Sequence, residues 1–464
     1  MSFSFICRKN ILHSLILLFT GLFFSGCIAS PPVRVQEPVF TAPAESAAPE
    51  KTARPEDYWP SSVCLDCHDR IFRQHSESMH AKSFENPVFQ AQYFNEVLPR
   101  SMKTEGLSEE ARGCIACHAP VAYMKTKGYI FSRRQVDSAM SGVTCDFCHT
   151  IRGYKGPRPG NANYISVPGT QKLGPFKSET NWHHAYSELQ TKSEFCAICH
   201  ERVNRNGLEI MSTFTEWRNS IYAAKGIQCQ DCHMNVRGFL TAGKPVYESG
   251  KAARMRLGYA PYRKRLYTHR FPGAHSRTQV EGALTLDMGT EVQAARPGSE
   301  ITVTVYVDNS KTGHRMPSGS AELRLLYLDI YAGYGDRRIP LPAVTKTTSM
   351  YDVSGKGRFD GSILGDGFPP GRRIYRAVCI DKNGRQTLSS YDAVSIAFDN
   401  RLNAAEVRKE TYRFRIPGDA KGILSLSARL YYLSYPAPFA ARLGLPAAEP
   451  VEIASVTKDI AIDE

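Results

Sequence analysis

Five short motifs constrain this chain more than any other feature: Cys64-Leu-Asp-Cys67-His68, Cys114-Ile-Ala-Cys117-His118, Cys145-Asp-Phe-Cys148-His149, Cys196-Ala-Ile-Cys199-His200 and Cys229-Gln-Asp-Cys232-His233. They take ten of the thirteen cysteines and leave Cys7, Cys27 and Cys379. Two thiols three residues apart share a turn and can add to the two vinyl groups of a haem, while the next residue turns its imidazole to the iron. Paired C-x-x-C also builds zinc and iron–sulfur sites, but neither demands a histidine after every pair, and here five of five have one. A disulfide within so short a loop would be strained. The motifs imply five covalently bound haems c, with His68, His118, His149, His200 and His233 as the proximal iron ligands.

The first cysteines fall at 64, 114, 145, 196 and 229, so long and short intervals alternate. Gly142-Val-Thr-Cys145 parallels Gly226-Ile-Gln-Cys229, and the motif at Cys114 resembles that at Cys196. This reads as a duplicated two-haem unit, 114 with 145 and 196 with 229, with one haem added in front.

A haem with histidine on one face needs a second ligand to be a pure electron carrier, whereas an open face can bind substrate. Besides the motif histidines and His13, the chain offers His75, His80, His183, His184, His269, His275 and His314. If His183 and His184 supply one ligand between them, five ligands serve five irons and His75 is spare. His75 and His80 are expected on a helix from Asp69 to Ala81. Met79 and Met316 are weaker alternatives that would raise a potential.

The chain begins with Arg8 and Lys9, an apolar run from Leu15 to Phe24, and small residues before Cys27. An apolar core of about ten residues is too short for a membrane span, which takes about 20, so residues 1–26 read as an export signal. Phe24-Ser25-Gly26-Cys27 resembles a lipobox, with Cys27 the lipidated first residue of the mature chain; Ile28 after it implies the outer membrane. Residues 27–60, rich in proline, read as an extended tether. The net charge of +13 suggests no nucleic-acid partner: loss of Arg8 and Lys9, and two propionates on each haem, bring it to about +1.

With 464 residues, 42% hydrophobic and 22% charged, the chain is globular, with room for two or three domains. The expected class is α + β: a mainly helical and loop multihaem domain over 61–282, then an antiparallel β-sandwich over 283–464. In the second part, Ile301–Val307, Thr411–Ile416 and Leu424–Leu430 alternate apolar and polar residues. His314 falls in a loop there, from which it can reach across to a haem, and Cys379 reads as a buried thiol. Lys244, Lys251, Arg254, Arg256, Arg263, Lys264 and Arg265 form a basic run that meets propionates, an acidic partner or solvent.

The motifs and several strings around them, among them Ser78-Met-His80-Ala, Ser193-Glu-Phe-Cys-Ala-Ile-Cys-His200, His269-Arg-Phe-Pro-Gly-Ala-His275 and Thr312-Gly-His314-Arg-Met-Pro, resemble multihaem cytochromes c of the cytochrome c554 type over about residues 60–320. The resemblance implies His80, His269, His275 and His314 as distal ligands and is silent between His183 and His184. No C-x-x-C-K motif of the pentahaem nitrite reductases occurs. The expected function is electron transfer at the outer membrane, to another redox protein or an extracellular acceptor. The alternatives are a hydroxylamine- or nitrite-type haem enzyme, which needs one iron without a distal ligand, and a filament subunit, which a lipid anchor disfavours.

Overall fold

The computed structural model describes residues 54–177, 183–254, 260–341, 362–365 and 372–463, all within one compact unit. The export signal, Cys27, most of the tether and Arg256 lie outside the described residues.

The tether ends earlier than expected. Tyr58 is buried, its ring against Phe147, and its hydroxyl donates to Ser166 Oγ at 2.9 Å. The backbone N–H of Trp59 donates to the Asp146 carboxylate at 3.0 Å. An aromatic side chain that large gains about 1.5–3 kcal/mol from burial, enough to fold the last tether residues onto the body.

Each haem motif sits on a helical turn: Leu65–Glu77, which kinks at His68 and runs on, and Leu107–His118, Cys145–Cys148, Ser193–His200 and Cys229–His233, which stop at or beside their histidine. The first of these was expected from Asp69 to Ala81. It ends at Glu77 because Ser78 turns extended, with its N–H on the His75 carbonyl (2.9 Å) and its side chain accepting from Ala81 N (3.1 Å). His80 therefore leaves the helix that carries His75. Gly142 lets the third motif approach that turn: at φ +70° a Cβ would collide with the Ala81 carbonyl, and the Val143 N–H instead reaches His80 O at 2.8 Å.

From Thr285 onward the architecture changes. One three-stranded antiparallel sheet runs in the order Val407–Arg415, Glu300–Asp308, Thr285–Thr290. A larger sheet runs Ala294–Ala295, Val451–Ile462, Gly422–Leu433, Leu325–Tyr334, Arg337–Pro340, with Arg373–Tyr375 also paired to Leu325–Tyr334. The three alternating runs read from the sequence all begin within strands of these sheets. Val303, Val305 and Val307 of one sheet share a core with Leu326, Leu328, Leu424, Leu426 and Leu430 of the other. Pairing is antiparallel except for the two-residue strand Ala294–Ala295, which adds in parallel to the C-terminal strand. The overall class is α + β. Val280 already belongs to the sheet core, and Gly282 N bonds Ile453 O at 2.9 Å, so packing of this region starts a few residues before 283.

The two halves also share apolar ground. Ala91 packs with Leu323, Leu388, Phe439 and Leu443, and Ile210 packs with Cys379 and Ala393. Cys379 is buried, as its apolar surroundings imply.

Candidate haem-binding site

The motif cysteines gather out of chain order. Cys64 lies beside Cys145, Cys117 beside Cys199, and Cys196 beside Cys229. Ser61, three residues before Cys64, accepts from Cys145 N (3.2 Å), and Ser193, three before Cys196, accepts from Cys229 N (3.0 Å). The repeat seen in space is thus the first motif with the third and the fourth with the fifth. The sequence reading joined the second motif with the third and the fourth with the fifth; the fourth and fifth do meet, while the third meets a serine beside the first motif, from a distant segment. The fourth motif, in contact with both the second and the fifth, is the hub.

Four motif histidines face a second imidazole. Ring centres lie 6.0 Å apart for His68 and His183, 6.0 Å for His80 and His200, 6.3 Å for His149 and His269, and 6.2 Å for His233 and His314. Stacked or contacting rings would be closer. Two metal–nitrogen bonds of about 2 Å, plus the reach from each nitrogen to its own ring centre, account for a separation of this size, so the residues fit an iron held between them. Among the described residues no group of three or more His, Cys, Asp or Glu is arranged to hold a bare metal ion.

Hydrogen bonds orient several of these rings. Nδ1 of His68 meets Ala252 O (2.9 Å), that of His149 Leu173 O (2.6 Å), that of His269 Tyr267 O (3.2 Å) and that of His314 Arg315 O (2.8 Å). A carbonyl at Nδ1 fixes the proton there and leaves the Nε2 lone pair for a metal. Burial pushes His80 and His269 down to about 3 and His233 to about 4, which keeps them in the neutral form a metal requires.

The same test separates the remaining candidates. His184 turns Nε2 to the Phe176 carbonyl, and His75 turns Nε2 to Val143 O at 2.8 Å with Nδ1 near Cys145 Sγ. Neither has Nε2 free, whereas the neighbouring His183 faces His68. Met316 packs into the sheet core. His275 is exposed beside Gly273, near Met79 and Arg324, and is not paired with a motif histidine.

His118 is the exception. Its Nδ1 meets Ser83 O (2.9 Å) like the others, but among the described residues no imidazole stands opposite it. Phe89 stacks on its ring at 4.0 Å and 10°. That phenyl is set by the helix Pro87–Ala91, whose first turn is capped by Asn86 accepting from Val88 N and Phe89 N. Sequence reading missed Phe89; the Asn86-Pro87 helix start was the available signal.

The basic run covers two motifs. Its hairpin, Glu248–Lys251 with Tyr262–Leu266, brings Arg254 N to Cys67 O (2.6 Å) and the Arg254 guanidinium to Asp69 (2.9 Å). Arg265 pairs with Asp231, inside the fifth motif, at 2.7 Å. At least these two arginines are anchored to the motifs, so the run is more than a solvated loop.

Residues 63–150 match the family described as cytochrome c554 and c-prime. Among solved structures, a penta-heme cytochrome c552 from Thermochromatium tepidum aligns over 88% of this chain and 100% of its own, at 21% identity and a TM-score of 0.62. Residues 63–150 are thus similar to that family, and the fold is that of a multihaem cytochrome. At that identity the structural likeness bears on the fold, and it extends through the helical half into the sheets. The human F-spondin reeler domain (fragment 1), 11% identical, aligns over 39% of this chain and 92% of its own length at a TM-score of 0.19, too low to bear on the fold. No curated protein matches this chain. Haem c supplies one-electron chemistry at iron, and the thiols and paired imidazoles described above are the residues that would hold it.

Proposed function

We propose that this electron-carrying cytochrome holds five haems c, through the ten motif cysteines and five motif histidines, and that His183, His80, His269 and His314 are the distal ligands of the first, fourth, third and fifth. In this reading the chain is exported, lipidated at Cys27 and held at the outer membrane by the tether, where it passes electrons to another redox protein or an extracellular acceptor. The two sheets form a β-sandwich whose loop supplies His314. The observation that carries the reading is the set of four imidazole pairs, because bis-histidine ligation closes both faces of an iron and leaves it electron transfer as its chemistry. Haem quantification with electron paramagnetic resonance on the oxidised Cys27→Ser protein tests it.

A second reading is favoured by one site. The haem at Cys114 and Cys117 has His118 on one side and, among the described residues, no histidine opposite, which leaves that face for a small nitrogen or sulfur compound. A high-spin signal that shifts with nitrite, hydroxylamine or cyanide supports that reading; five low-spin haems exclude it.

A further inference from the structure

Glu322 occupies a turn just before the strand Leu325–Tyr334 and is 7% exposed. Its Oε2 has no hydrogen-bond partner. A buried carboxylate is usually matched by an ion pair or several donors, and one without them is expensive to keep charged. Three guanidiniums act on it from different elements: Arg202, two residues past His200; Arg324, on its own turn; and Arg401, after the strand Ser395–Asp399. Each is directed elsewhere. Arg202 bonds Glu110, Arg324 donates to Ser318 O at 2.6 Å, and Arg401 holds Asp399 at 2.8 Å and Glu216 at 2.9 Å. The other groups facing Glu322 are the Cys379 thiol, pushed up to about 12 by burial, and Arg376, across a small cavity that Gln386 and Thr387 also line. That polar lining offers hydrogen-bond partners to a water beside the carboxyl.

This turn connects to the fourth motif through packing: Cys379, which shares the cavity with Glu322, packs on Ile210, and the strand Glu209–Ser212 that carries Ile210 pairs with Glu201–Val203, the strand that leaves His200 and carries Arg202. An electron added near His200 makes the local potential more negative and disfavours the Glu322 carboxylate; a proton on the carboxyl cancels that charge and removes the cost of burying it. We propose that Glu322 is the proton acceptor coupled to the haem attached at Cys196 and Cys199: one electron from an external donor reduces the iron, one proton from solvent converts the carboxylate to the acid, and both leave on reoxidation. Burial holds this carboxyl up at about 7, where the exchange takes place at neutral pH. The proposal rests on haem being bound at Cys196–His200.

The test is a spectroelectrochemical titration of the holoprotein and of Glu322→Gln from about pH 5 to pH 8. One low-spin haem should lower its potential by up to about 59 mV per tenfold fall in proton concentration, and the slope should flatten in the variant. In His80→Met, whose sulfur ligand raises that haem's potential, the pH-dependent component should move with it. A slope unchanged in Glu322→Gln places the proton on a propionate and overturns the assignment, as does a component that stays in place in His80→Met. Infrared difference spectra of the unmutated protein decide independently of any folding defect: a protonated-carboxyl band should appear on reduction, and its absence overturns the proposal. Mass spectrometry of the Cys196–His200 peptide on the same sample reports separately whether haem is attached.

Discussion

The helical half and the sheet half hold themselves together differently. From Thr285 onward, strands of up to twelve residues put Val303, Val305, Leu424 and Leu426 at 0% exposure in one aliphatic core. The haem motifs instead ride on helices as short as four residues, and their histidines stand about 6 Å from their partners rather than in contact. The sheet half is held by an aliphatic core, whereas the helical half packs a core rich in aromatic rings, Phe84, Tyr93, Phe147 and Tyr164 among them, and sets its histidine pairs apart at the separation an iron between them would need.

The sharpest way to break this contrast is to remove a group from the hub. Cys196→Ala with Cys199→Ala should lose one haem equivalent and lower the melting temperature more than any single core change, read by haemochrome absorbance and calorimetry; a full haem content or an unshifted melt contradicts the account. Leu426→Ala in the sheet core should cost about 2–5 kcal/mol and leave the haem spectrum as it was. His314→Ala should turn one haem high-spin by absorption and paramagnetic resonance, whereas His184→Ala and His75→Ala should leave ligation unchanged, because their Nε2 atoms are taken by carbonyls. The smallest effect concerns pH. Glu322 has its carboxyl raised from 4.5 to about 7 by burial, so between those values the folded protein keeps a proton that the unfolded chain releases. Stability should therefore fall as pH rises through that window, and Glu322→Gln should remove that part of the slope in thermal melts.

Much of this was legible in the chain. The cysteine motifs announce covalent haem because the chemistry fixes their spacing, and Ile301–Val307 or Leu424–Leu430 announce strands because one face of each must be buried. What stayed hidden depends on distant contacts. His183 and His184 are adjacent and chemically alike, and only the Phe176 carbonyl against one of them tells them apart. The pairing of the first motif with the third depends on Ser61 meeting Cys145, 84 positions along the chain. His275 fitted a count of five ligands for five irons, yet the fold leaves it exposed and His118 beside a phenyl ring. Glu322 lies in a short stretch of small residues that gives no sign of burial.

The most direct measurement is electron paramagnetic resonance on the oxidised, soluble Cys27→Ser protein, with haem counted on the same sample. The account predicts five haems, four low-spin with paired imidazoles and one high-spin at His118 that cyanide converts. Fewer than four low-spin haems would contradict the imidazole pairing on which the account rests.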